Sequence, residues 1–230
     1  MIKVELLDRM GADLVVVNAA RVSFDKESVW GHLEDYDGPD GEWRTRHILS
    51  AKDQKLIHYL AKHKHLSPFG HCFLSFRINA PVFVARQLVK HKFLRWNEVS
   101  RRYVDNEPEF YEPDVWRERA ENVKQGSSDT KVYGAATLAD AAYMSARSSY
   151  NAMLALGVAP EQARMVLPQS MMTSWIWSGS LDAFIDMCRL RLDKHTQLET
   201  RMVAEGVAEK IAEHFPISWQ ALYGEEASTS

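Results

Sequence analysis

The sequence predicts an α+β fold with a helix-rich second half, on three observations. Strict alternation over residues 72–79 places Cys72, Leu74, Phe76 and Ile78 on one face of a strand, with Ser75, Arg77 and Asn79 on the other. Ser50 followed by Asp53 resembles a capping box, with Asp in place of the usual Glu or Gln. The helix it opens carries Leu56, Ile57, Leu60 and Ala61 on one face and should stop near Lys64. From Thr137 onward the patterning is largely helical.

The remaining elements follow in chain order. Residues 3–7 and 14–17 read as short strands, the second apolar enough to be buried on both faces. Residues 31–46 are polar and turn-prone, with Asp37-Gly38-Pro39-Asp40-Gly41 at their centre, and read as an exposed loop or insertion. Pro81 suits the first turn of a helix running to about Lys92. Residues 114–131 are charged and weakly patterned, as in a surface connection. A helix over 137–156 should end at Gly157, and Pro160 should open a short helix through Arg164. Pro168 separates that helix from a long helical pattern over 180–215. Trp175 and Trp177 are expected in the core.

With 230 residues, of which 46% are hydrophobic and 26% charged, the chain has the make-up of one soluble globular domain. It has no run of about eighteen apolar residues, and its first residues lack the apolar core of a signal peptide, so a cytoplasmic protein without a membrane span is expected. Cys72 and Cys188 stand far apart, outside any disulfide framework or metal-ligand spacing. His195 and Glu199 share the i, i+4 spacing of metal ligands but have no third partner, so no metal is expected. A net charge of -3 argues against holding nucleic acid through global positive charge.

The local charge is different. Arg86, Lys90, His91, Lys92, Arg95, Arg101 and Arg102 lie within one short segment, with Glu98 the single acid among them. Arg86, Lys90 and His91 share helical spacing and can converge on one anion. Beyond them, residues 97–103 supply an amide, a carboxylate, a hydroxyl and two guanidinium groups, a mixture suited to a phosphorylated, hydrogen-bonding ligand. Composition alone leaves three readings open: a solvated helix face, a nucleic-acid patch with Phe93 and Trp96 as stacking rings, or a nucleotide or flavin phosphate site.

The spacing resembles that of the flavin-dependent thymidylate synthases, which carry Arg-His-Arg, seven residues and then serine. Here Lys90-His91-Lys92, seven residues and Ser100 occupy that frame. Residues 83–87 before the triplet and Asn97-Glu98-Val99-Ser100, Arg102 and Tyr103 after it are also similar. Four further blocks follow the family's order: residues 19–24, 65–71, 163–168 and 190–197. The resemblance covers nearly the whole chain and is least clear in residues 31–46 and 114–132. It implies the family's fold, a mixed sheet packed with helices. It implies also a single catalytic domain over 1–220, with 31–47 a surface insertion and 221–230 a flexible tail.

The resemblance further implies methylation of dUMP to dTMP with methylenetetrahydrofolate as carbon donor, FAD as cofactor, NADPH as reductant and a homotetramer with shared active sites. By position, Ser23, His65, Ser67, Lys90, His91, Lys92 and His195 correspond to the FAD site. Gln87, Glu98, Ser100, Arg101, Arg102, Arg164 and Arg191 correspond to the dUMP site, with Arg191 catalytic. Arg101 stands where the family usually has glycine, so its backbone amide is what transfers.

Physical chemistry is consistent with these roles. A nucleotide phosphate is best held by guanidinium groups with hydroxyl and backbone donors, as from Arg102, Arg164 and Ser100. Uracil C5 must act as a carbon nucleophile, and a fixed cation such as Arg191 would stabilise the charge that develops on the ring oxygens. Neither cysteine sits in the Pro-Cys-His setting of the cysteine-dependent thymidylate synthases.

The lysines at 90 and 92 keep the family's charge but lose the planar fork, so their contacts to flavin phosphate become single-point. Asp186 adds a negative charge near the expected adenosine region. Two other activities are consistent with the residues: a related one-carbon transfer to dUMP ending in a different 5-substituted product, and a non-catalytic nucleic-acid-binding protein. Arg164 could instead pair with Glu161, and Arg191 with Asp186 or His195.

Overall fold

The computed structural model describes residues 1–37, 41–121 and 126–224. Strands β1 (Lys3–Met10), β4 (Phe73–Pro81), β8 (Met172–Ser180) and β5 (Arg95–Glu98) form one sheet in the order β1-β4-β8-β5. Two smaller sheets pair β2 (His32–Asp37) with β3 (Trp43–Ile48) and β6 (Arg117–Arg119) with β7 (Ser127–Lys131). The helices are α1 (Asp13–Arg21), α2 (Ala51–Lys62), α3 (Val82–Leu88), α4 (Ala135–Ala155), α5 (Pro160–Ala163), α6 (Leu181–Arg191), α7 (Leu198–His214) and α8 (Pro216–Tyr223). This is an α+β fold, helix-rich in its second half.

The chain groups into two units, neither continuous in sequence. The first comprises residues 1–5, 76–177 and 190–206. Along β8, Thr173, Trp175 and Trp177 are buried in alternation, and along β4 so are Phe76 and Ile78, as β-branched and aromatic side chains on one pleated face should be. Trp96 on β5 stacks on Trp175 with ring centroids 4.3 Å apart. Gly206 on α7 passes so close to β1 that an added Cβ would lie 2.8 Å from a Val4 methyl, so a larger residue there would force the two elements to shift.

The second unit comprises residues 6–75, 178–189 and 207–230. Ser50 caps α2 as expected, its hydroxyl accepting from the Asp53 amide at 3.2 Å. Burial works against the Asp53 carboxylate, but hydrogen bonds from Ser50, Arg21 and Ser28 outweigh it and hold its pKa below the ordinary value. Asp13 caps α8, accepting from the amides of Ile217 at 2.9 Å and Ser218 at 3.0 Å and from the Ser218 hydroxyl at 2.5 Å. Its burial is deep enough that its pKa is nevertheless raised.

Several expectations are corrected. Residues 14–17 are not a strand but the first turns of α1, where Val16 and Val17 are buried. The exposed insertion is a hairpin, with His32 opposite Ile48 and Asp37 opposite Trp43; residues 38–40 lie outside the described residues. The helix opened at Pro81 ends at Leu88, so the Lys-His-Lys triplet lies beyond it. The surface connection contains β6 and β7, and the long helical pattern is broken between α6 and α7. Helix α8 runs through Tyr223 with Ala221 and Leu222 buried, three residues into the expected tail; residues 225–230 lie outside the described residues.

Candidate active site

Helix α3 and the turn that follows it present different faces to two clefts of the first unit. Val82, Ala85, Arg86 and Val89, at spacings of three, four and seven, line a cleft of about 720 Å³. Gln87 and Lys90 line another, of about 490 Å³. The two clefts share no lining residue.

The larger cleft gathers Arg86, Arg101, Arg102 and Arg164 with Glu98 and Ser100. A tight turn after β5 sets three of them: the Tyr103 and Val104 amides both donate to the Ser100 carbonyl, at 3.0 and 3.2 Å. Arg102 Nε donates to Ser100 Oγ at 3.2 Å, and the Arg102 guanidinium lies 5.0 Å from the Tyr103 ring centre. Arg101 is turned back onto the Asn106 carbonyl. Arg164 follows α5 and donates from Nε to the Glu161 carbonyl at 3.2 Å, not to its carboxylate.

Glu98 is pinned from both sides, by Thr173 Oγ1 at 2.9 Å and Trp96 Nε1 at 3.1 Å. None of the ion pairs among the described residues involves the four arginines. A concave surface with four uncompensated guanidinium groups and one fixed acceptor is suited to an anion that also carries a hydrogen-bond donor.

The smaller cleft is lined by Gln87, Lys90, Arg117, Arg191, Thr196 and Gln197, with Gly126 and Ser127. Gln87 Nε2 donates to Gln197 Oε1 at 2.6 Å. Arg191, the last residue of α6, donates from Nε to His91 Nε2 at 3.2 Å and from Nη2 to the Gln87 carbonyl at 3.0 Å. It pairs with neither Asp186, which faces Arg189 at 3.2 Å, nor His195. Burial, reinforced by the Arg191 charge, pushes the His91 pKa down to about 4, and burial also lowers that of Arg191. Arg117 was not among the expected site residues; it lies in the segment that reads as a surface connection, and nothing in its local pattern marks it.

The residues expected around uracil and phosphate are thus divided: Glu98, Ser100, Arg101, Arg102 and Arg164 in one cleft, Gln87 and Arg191 in the other. Of the flavin set, Lys90 and His91 accompany Arg191, while Lys92 and His195 are exposed in the same unit. Ser23, His65 and Ser67 are exposed in the second unit, after α1 and after α2.

Both cysteines are buried, and burial raises both thiol pKa values, that of Cys72 to about 12. Neither is poised as a thiolate nucleophile. Among the described residues no group of three metal-ligating side chains occurs, and no helix is long and apolar enough to cross a membrane.

This fold and these clefts define an α+β protein whose surface is arranged to receive an anionic small molecule. The family model described as thymidylate synthase complementing protein matches residues 5–217. The flavin-dependent thymidylate synthase of Thermus thermophilus is 36% identical over 219 residues, covering 95% of this chain and 74% of that protein. That of Pseudothermotoga lettingae is 32% identical over 218 residues, covering 95% and 88%. The crystal structure of the UMP/dUMP methylase PolB from Streptomyces cacaoi, bound with 5-Br dUMP, superposes with a TM-score of 0.79 at 31% identity, covering 97% of this chain and 95% of that one. The chain belongs to the flavin-dependent thymidylate synthase family.

Proposed function

We propose that the protein catalyses the reductive methylation of dUMP to dTMP, with methylenetetrahydrofolate as carbon donor, FAD as cofactor and NADPH as reductant, as a cytoplasmic homotetramer. The observation that carries this reading is Arg191: a half-buried guanidinium held by two neutral acceptors, without a carboxylate partner among the described residues, at the wall of a polar cleft. A cation left uncompensated in this way is free to stabilise charge developing on the uracil oxygens as C5 becomes nucleophilic.

The arginines of the other cleft supply the phosphate contacts, with Ser100 as hydroxyl donor. Glu98, held by Thr173 and Trp96, is a fixed acceptor for sugar or base donors. The phosphate set and the uracil set line two clefts that share no residue, with Arg86 and Gln87, neighbours on α3, facing one each. The division therefore supports a site completed between copies, with phosphate held by one copy and uracil by another.

The donor set also fits FAD: Lys90 and Lys92 are cations, Ser23 and Ser67 carry hydroxyls, and His65 and His195 carry ring nitrogens suited to a diphosphate and its ribose and flavin edges. FAD, when bound, supplies the hydride that reduces the transferred carbon to a methyl group. The buried, unactivated thiols agree with a reaction that needs no cysteine nucleophile. The nucleic-acid reading is disfavoured because Trp96, one of the two rings it requires, is stacked internally and donates to Glu98.

A mixing experiment tests the shared site. At dUMP concentrations well below the variant Kd, Arg164→Ala and Arg191→Ala, each strongly impaired alone, should regain dTMP formation when co-refolded, because some sites then receive both intact halves. Equal inactivity of the mixture, with mixed oligomers demonstrated, would place both halves in one copy.

A further inference from the structure

Arg191 must keep its full positive charge and a fixed direction to serve uracil, and these needs conflict. The common way to fix a guanidinium is a carboxylate, which would also neutralise it. The chain uses two uncharged acceptors instead: the Gln87 carbonyl takes Nη2 at 3.0 Å and His91 Nε2 takes Nε at 3.2 Å. Together they fix the guanidinium plane along its Nε edge. His91 is itself fixed, its amide donating to the Leu88 carbonyl at 3.1 Å and its ring standing edge-on to Trp177 with centroids 6.3 Å apart.

We infer that His91 is a positioning residue for Arg191, orienting the guanidinium for uracil through a neutral imidazole that accepts at Nε2. The family triplet thereby has divided duties, with its lysines serving the flavin phosphates and its histidine serving the uracil cation. Accepting at Nε2 requires the proton to sit on Nδ1, so one tautomer is selected by the Arg191 donor. Burial keeps that imidazole uncharged at neutral pH. A protonated ring would have no lone pair to offer and would set a second cation against Arg191.

The inference rests on the proposed function for its kinetic part and on geometry alone for its spectroscopic part. His91→Gln places an amide oxygen near the position of Nε2 and keeps the acceptor; His91→Phe keeps the ring and removes it. At saturating FAD, His91→Phe should lower kcat for dTMP formation about a hundredfold, the order expected when a reacting group is misplaced by about 1 Å. His91→Gln should recover most of that loss, and the FAD Kd should change less than about threefold in either. In the wild-type protein, 15N NMR of the His91 ring should report a neutral imidazole protonated at Nδ1.

A Phe variant with wild-type kcat, or a Gln variant as impaired as Phe while equally folded, overturns the inference. So does a loss confined to FAD affinity, which would return His91 to the flavin, or a ring protonated at Nε2. If the wild-type protein forms no dTMP, the functional reading fails, while the tautomer measurement still decides whether His91 accepts from Arg191.

Discussion

Arg117 donates from Nη2 to Oε1 of Glu199 across 2.9 Å, with the Glu199 side chain 5% exposed. The pair joins β6 to the start of α7, with Arg117 itself lining the smaller cleft, and Arg117 Nε also donates to Ser127 on β7 at 2.7 Å. Arg117→Ala would leave a buried carboxylate unpaired. Such a loss costs about 3–5 kcal/mol, readable as a lower denaturant midpoint. Adding Glu199→Gln to that variant should restore part of the stability, because the uncompensated charge is then gone.

Arg191→Ala should lower turnover by at least about a hundredfold, the cost of removing a donor aimed at developing negative charge. Flavin content and oligomeric state should remain near wild type. Unchanged turnover in a folded variant would remove Arg191 from catalysis.

Arg102→Ala and Arg164→Ala should raise the Kd for dUMP roughly ten- to hundredfold each, since hydrogen bonds to charged groups contribute about 1.5–3 kcal/mol. Calorimetric titration compares dUMP with deoxyuridine. Both variants should lose the preference for the phosphorylated form, and a preference that persists would place the phosphate elsewhere.

Cys72→Ala and Cys188→Ser should retain turnover when folded. Both thiols are buried with raised pKa values, and Cys72 Sγ is committed to the Ala12 carbonyl at 3.6 Å. Cys72→Leu should fail to fold: Gly11, at φ +91°, passes so close that even an added glycine Cβ would lie 2.8 Å from Cys72 Sγ.

His91 gives stability a defined pH dependence. Its imidazole protonates near 6.5 in the unfolded chain but only near 4 in the folded one, so the unfolded state binds more protons between those values. Its contribution is fully present above pH 6.5 and is lost as pH falls towards 4. His91→Gln should flatten that part of the midpoint-against-pH curve, and an unchanged curve would mean that the ring is solvated.

The fold was legible where one pattern had one solution. β4 alternates without a break, and α2 carries both its cap and its apolar stripe. The run Leu14-Val15-Val16-Val17 has no such uniqueness, because four adjacent apolar residues suit a buried strand or a largely buried turn of helix equally well. Only tertiary packing decides it. The break between α6 and α7 depends on a local turn: the Asp193 carboxylate accepts from the His195 amide at 2.7 Å and the Thr196 amide reaches the Asp193 carbonyl at 2.9 Å. Helical periodicity on either side conceals such a turn.

The site was legible as residue types within one basic segment, but its division was not. Arg86 and Gln87 are neighbours in sequence and line different clefts, because adjacent helical residues point about 100° apart. Arg117 and Glu199 are far apart in sequence and meet only in the fold. The His91 contact with Arg191, across a hundred positions, likewise has no sequence signature.

The most direct test of the central claim is anaerobic incubation of the purified protein with FAD, NADPH, dUMP and methylenetetrahydrofolate, followed by mass spectrometry of the nucleotide product. The expected product is dTMP, formed when FAD is included and absent when it is withheld. A product carrying a hydroxyl on the added carbon, or dTMP formed equally well without FAD, would contradict it.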